Sequence, residues 1–231
     1  MNFGKNVMKQ SRRVLLACGL MAVATLTFGA GAASAAEDVS QLGPQELVNK
    51  VANDTLKDLD ANRAEYAKNK GKVRELVDKN MLPYFDTAYS AQLVLAKHWR
   101  TATPEQRKRF VEAFYQSLLQ NYGEALLEFT PDRLKILPFK GKPDDKSAAV
   151  RTEVRRDNGQ RVPVNYSLRK SGEEWKAYDV QIEGVSYVKS FRTDFGSEIQ
   201  QKGLEPVIKR LEEQVASGTV KKPTAQPEKG Q

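Results

Sequence analysis

The chain has 231 residues, a net charge of +8, one cysteine and one histidine. That length suits one ordinary domain with short additions, and a single cysteine excludes a disulfide framework. A lone histidine excludes a histidine metal cluster, and the mild, unclustered positive excess excludes a strongly electrostatic nucleic-acid binder.

The chain opens with Lys5, Lys9, Arg12 and Arg13 and no acidic residue near them, then an apolar run from Val14 to Ala24 that continues through Leu26 and Phe28. Ala33-Ser34-Ala35 fits a small-residue cleavage site, so residues 1–35 read as a secretory signal peptide. The run is shorter than the ~20 residues of a spanning helix. Arg12-Arg13 partly resembles a twin-arginine signal, which leaves the export route open. Cys18 has its apolar segment after it rather than before it, so a lipoprotein box is rejected. Cleavage would remove the only cysteine and four of the positive charges. Residues 36–218 are then expected to form one domain. Residues 219–231 have little apolar content and are expected to be a disordered tail.

Within that domain, a first helix is predicted from Pro44, with Leu47, Val48, Val51, Thr55, Leu56 and Leu59 at helical spacing. A polar linker, Asn69 to Gly71, precedes a short helix whose Val73, Leu76, Val77 and Met81 share a face, stopped by Pro83. A third helix is predicted over 86–99, aligning Tyr89, Leu93 and Ala96. The fourth has Thr103 as N-cap, Pro104 as first residue and Gln106 completing a capping box. Its aromatic stripe, Phe110, Phe114, Leu118, Tyr122, Leu126 and Phe129, predicts deep burial.

From Arg133 the period changes to two. Leu134-Lys135-Ile136 starts a strand, and Val150, Thr152 and Val154 alternate with charged residues. Asp157-Asn158-Gly159-Gln160 predicts a hairpin turn. The return strand carries Val162, Val164, Tyr166 and Leu168, and its Pro163 suggests an edge or an interrupted ladder. After Ser171-Gly172, strict alternation sets Tyr178, Val180 and Ile182 against Trp175, Asp179, Gln181 and Glu183. Two helices follow, one with Val188, Phe191, Phe195 and Ile199, stopped by Gly203, and one with Leu204, Val207, Ile208, Leu211 and Val215. The whole predicts an α+β fold, with helices wrapping an antiparallel sheet of about four strands.

Catalytic constellations are not evident. His98 reads as a capping or packing residue, and strand parity turns Asp179 away from the apolar face as a surface carboxylate or partner of Arg192. An isomerase or hydratase using Asp179 or His98 is the enzyme alternative. An adaptor or chaperone with an exposed apolar groove is a further one.

Three blocks then resemble the MlaC family of periplasmic phospholipid-binding proteins, also called toluene-tolerance auxiliary proteins. They are Trp175 to Val188 with Phe191 to Phe195, His98 to Arg107 running on into Phe110 and Phe114, and Met81 to Asp86. Ala96 stands where the family is expected to have glycine, a departure expected to alter little. The resemblance implies a curved sheet like that of nuclear transport factor 2 with a deep apolar pocket. It implies bound phospholipid as cargo, no cofactor or metal, and no enzymatic activity. It further implies a periplasmic, monomeric carrier that maintains outer-membrane lipid asymmetry. Such a carrier works between an outer-membrane lipoprotein–porin complex and an inner-membrane MCE-type ABC transporter. Given such a pocket, face and parity nominate Val150, Val154, Val164, Tyr166, Leu168, Tyr178, Val180 and Ile182 on the sheet as its lining. On the helices they nominate Val73, Leu76, Val77, Met81, Phe85, Leu93, Phe114, Leu118, Val188, Phe191 and Phe195.

Overall fold

The computed structural model describes residues 39–128, 130–142, 145–156 and 158–218. The expected export segment, Phe129, Asp157 and the expected C-terminal tail lie outside the described residues. Helix α1 spans Pro44–Lys68 and begins on a proline, whose missing N–H falls where a helix has no acceptor for it. Helix α2, Lys70–Asn80, follows after a single residue, so the expected three-residue linker is absent. Asn69 makes the short break possible by accepting a hydrogen bond from the Gly71 amide at 3.0 Å. The two helices are clasped by Asp58, which accepts from Tyr66 Oη at 2.6 Å, Asn62 at 2.8 Å and Asn80 at 3.2 Å.

Pro83 lies in a short 3₁₀ turn, Leu82–Tyr84, that leads to α3, Thr87–Leu95. The helix expected to run to Trp99 is broken at Ala96, and α4 covers only Lys97–Thr101. Ala96 has φ +50° and ψ −116°, a conformation that favours glycine. Helix α5, Pro104–Tyr122, starts on the complete Thr103–Gln106 capping box. It stops at Tyr122, and Leu126 belongs to a following 3₁₀ segment, Gly123–Glu128. Helices α6, Tyr187–Lys202, and α7, Leu204–Ser217, close the described chain. Arg109 on α5 reaches Glu205 at 2.7 Å and Glu212 at 2.6 Å, clamping α5 to α7.

The sheet has five strands in sequential order: β1 Leu134–Ile136, β2 Ser147–Arg155, β3 Arg161–Ser171, β4 Glu174–Ile182 and β5 Val185–Ser186. All neighbours are antiparallel. The expected count of about four omitted the two-residue β5. Pro163 is not on an edge strand, because β3 is central. Its carbonyl accepts from the Glu183 amide at 3.0 Å, just past the end of β4, so its missing N–H falls where the ladder is already ending.

The largest correction concerns β4. Leu168 pairs with Ala177 while Ser167 pairs with Asp179, so Tyr178 is the extra residue of a β-bulge. Beyond the bulge the parity reverses. Trp175 and Ala177 therefore share the apolar face with Val180 and Ile182, and Tyr178 joins Asp179 on the other. Tyr178 meets Tyr89 edge-on, with ring centroids 5.2 Å apart. Asp179 does point away from the apolar face, but it is 6% exposed rather than on the surface.

Three apolar clusters hold the fold. In the helical one, Phe110, Phe114, Phe191 and Phe195 interlock edge-to-face and stacked at 5.0–6.0 Å between centroids. A second joins Leu56, Leu59 and Tyr66 of α1 to Val73 and Leu76 of α2. The third packs Leu47 of α1 on Val150, Leu168 and Trp175 of the sheet.

Candidate functional site

Strand register sets Val154 opposite Val162, Val164 opposite Ile182 and Tyr166 opposite Val180. Directly paired residues project to one face, so these side chains make a continuous apolar tract across β2, β3 and β4. Val162 and Val164 are buried, whereas Val154, Val180 and Ile182 are half-buried. Among the described residues, none of these four valines and one isoleucine is a member of the three packed clusters. The tract is partly withdrawn from water, and exposing such surface costs roughly 25 cal/mol per Å².

Thr152 and Tyr166, on the same face of the sheet, have their polar groups satisfied internally. Thr152, 1% exposed, donates to the Val164 carbonyl at 2.7 Å. Burial pushes the Tyr166 phenol above its usual range, opposed by a hydrogen bond with Thr152. Tyr122 at the end of α5 and Tyr187 at the start of α6 meet edge-on at 5.4 Å, and burial likewise raises the Tyr187 phenol.

The nominated residues divide sharply. Val154, Val164, Val180 and Ile182 come together in the tract. Val150 and Leu168 are core against α1, with Tyr166 packed beside them. Val73 and Leu76 are core between α1 and α2. Phe114, Phe191 and Phe195 are core among the helices, with Leu118 and Val188 packed against them. Tyr178 faces the opposite side of the sheet. Val77 is buried and Met81, Phe85 and Leu93 are half-buried, all four outside the clusters. Val162 belongs to the tract and was not nominated, although its parity with Val164 was available in the sequence.

The two candidate acid–base residues have other partners or places. Asp179 accepts from Ser186 Oγ at 2.6 Å and from the Val188 amide at 3.0 Å, so its carboxylate caps the start of α6. His98 sits on α4, where burial and then the neighbouring Lys97 hold its imidazole below the usual value. Among the described residues, no group of three or more His, Cys, Asp or Glu could hold a metal ion. No described helix is long and apolar enough to cross a membrane.

Two surface clefts of about 200 and about 260 Å³ are lined by none of the nominated residues. The smaller is lined by Arg74, Asp78 and Tyr115 among others, with Tyr115 Oη donating to Asp78 at 2.5 Å.

Comparison with known proteins agrees with this layout. The family model described as MlaC protein matches residues 49–213. The toluene tolerance protein ttg2D of Pseudomonas putida is 35% identical over 161 residues, 69% of this chain and 74% of that protein. The intermembrane phospholipid transport system binding protein MlaC of Haemophilus influenzae is 23% identical over 178 residues, 76% of this chain and 83% of that one. A phospholipid-binding protein from Ralstonia solanacearum, solved in complex with a phospholipid, superposes with a TM-score of 0.71 at 28% identity. The match covers 77% of this chain and 99% of the solved one. This chain belongs to the MlaC family.

Proposed function

We propose that this protein is a periplasmic phospholipid carrier, which holds acyl chains against the unclustered apolar tract of the sheet and releases them chemically unchanged. The observation that carries the reading is the tract itself: Val154, Val164, Val180 and Ile182 aligned on one face across three strands, outside the three packed clusters. Support comes from the phospholipid bound by the similarly folded Ralstonia protein and from the transport role named for the Haemophilus relative.

The physics fits that task. Exposing two acyl chains to water costs on the order of 20 kcal/mol, at ~0.8 kcal/mol per CH₂. An apolar tract replaces hydrocarbon by hydrocarbon, so uptake from a bilayer can be near neutral. Direction must then come from the complexes at either membrane. In this account residues 1–35 direct export, residues 36–218 bind lipid, and the donor and acceptor are the outer-membrane lipoprotein–porin and inner-membrane MCE-type complexes. Asp179 supplies a helix cap rather than a base, which favours carriage over isomerase chemistry.

The test is uptake from vesicles containing a fluorescent phospholipid, followed by flotation. Labelled lipid is expected in the protein fraction. The Ile182→Asp variant, which buries a carboxylate in the tract, should take up at least about tenfold less while keeping its helical circular dichroism. Wild-type protein that takes up no lipid, or a folded variant that takes up as much, contradicts the proposal.

A further inference from the structure

The larger cleft lies between α4 and α6, on residues other than those proposed to hold cargo. Phe191 and Phe195 of α6 turn into the helical core, whereas Arg192 and Gly196 of the same helix line the cleft. Lys97 and His98 enter it from α4, and Ser197 and Gln200 from α6. Every one of these five polar side chains can donate a hydrogen bond, and no carboxylate lines the cleft. Lys97 and Arg192 are exposed and form no ion pair among the described residues. The His98 Nε2 atom is buried and has no hydrogen-bond partner there.

We infer that this cleft is a binding site for a phosphate group, separate from the acyl-chain tract. Two permanent cations attract a phosphate group, doubly charged as a monoester and singly charged as a diester, and donors arriving from two helices suit its tetrahedral set of four oxygens. A planar carboxylate has only two oxygens and would leave part of the set unused. The backbone strain at Ala96, which also lines the cleft, turns the chain so that Lys97 and His98 enter from α4. Gly196 keeps the space open, because a Cβ built there would meet nothing within 4 Å. Burial and then Lys97 lower the proton affinity of the imidazole, and a bound anion raises it again.

His98 is the chain's only histidine, so its ring resonance reports on the cleft alone. Purified protein without an affinity tag is titrated with sodium phosphate, with a short-chain phosphatidylglycerol below its micelle concentration, and with a glutamate-rich peptide, each against a chloride control. A saturable shift of the His98 signal and an upward move of its titration midpoint are expected. Arg192→Gln should weaken binding about tenfold, and Gly196→Leu should abolish it while the added helix propensity preserves the fold. A response to inorganic phosphate identifies a free-anion site, and a response to the phospholipid alone identifies a headgroup site. Either supports the inference. A response only to the peptide, no response, or one undiminished in both variants overturns it. Cargo uptake at the tract is read separately by vesicle flotation, so failure here leaves that proposal standing and the reverse holds too.

Discussion

Ala96 is one of two non-glycine residues with positive φ among the described residues, the other being Glu183. A non-glycine residue at φ +50° and ψ −116° costs about 1–3 kcal/mol, whereas glycine there costs little beyond its freedom in the unfolded chain, about 0.5–1 kcal/mol. Ala96→Gly is therefore expected to stabilise the protein by roughly 1 kcal/mol in urea unfolding; a loss of stability would show that the strain is relieved elsewhere. Asp179 gives the complementary case. Its carboxylate is buried and accepts two hydrogen bonds, so Asp179→Ala should lose about 2 kcal/mol or more, and Asp179→Asn less, since an amide oxygen still accepts from the Val188 amide. Equal losses in the two variants would count against a capping role. The sequence showed Ala96 only as a small residue and Asp179 only by parity. A positive φ leaves no mark when alanine occupies the site, and a one-residue bulge silently reverses every side chain on one side of it.

At the scale of elements, Asp58 of α1 joins that helix to α2 by accepting from Asn80 and pairing with Lys79, and Tyr66 of its own helix steadies the carboxylate. The hydrogen bond from Tyr66 is the largest of the effects that lower the Asp58 carboxyl, and burial followed by that same bond pushes the Tyr66 phenol up to about 12. A phenol raised in the folded state stabilises the fold below its unfolded value near 10, and the gain is lost as pH climbs through the folded value. The stability gap between wild type and Tyr66→Phe should therefore be flat below about pH 10 and shrink between about 10 and 12. A gap that holds through pH 12 would contradict the pairing. For Asp58 the sign is opposite: its contribution is full above about pH 4 and fades as pH falls through its lowered folded value. The capping box at Thr103, the Gly203 stop and the order of the strands were all legible, because each is written in local chemistry. The break at Ala96 and the burial of Asp179 depend on contacts between distant segments. Such contacts carry no period.

For the whole molecule, the blocks that make the family recognisable are mostly joints of the fold. In Trp175–Val188 lie the bulge and the α6 cap, and in His98–Arg107 the Arg107 guanidinium donates to the Trp99 carbonyl and lies 5.3 Å from its ring. The proposed cargo surface is plain valine and isoleucine, which periodicity cannot separate from core; only packing does so. That division is itself testable. Phe195→Ala should cost about 3–5 kcal/mol whether or not lipid is present, because its ring is locked among Phe110, Phe114 and Phe191. Val180→Ala should cost roughly 1 kcal/mol or less without lipid, and its effect should grow when lipid is bound, since its contacts are then with cargo. Equal and lipid-independent losses would make both residues core. The central claim is tested most directly by purifying the protein from bacteria without detergent, extracting it with organic solvent and identifying lipids by mass spectrometry. Phospholipid in a fixed ratio to protein, reduced in Ile182→Asp, is the predicted result. An extract without phospholipid, from protein that also takes none from vesicles, would contradict the account.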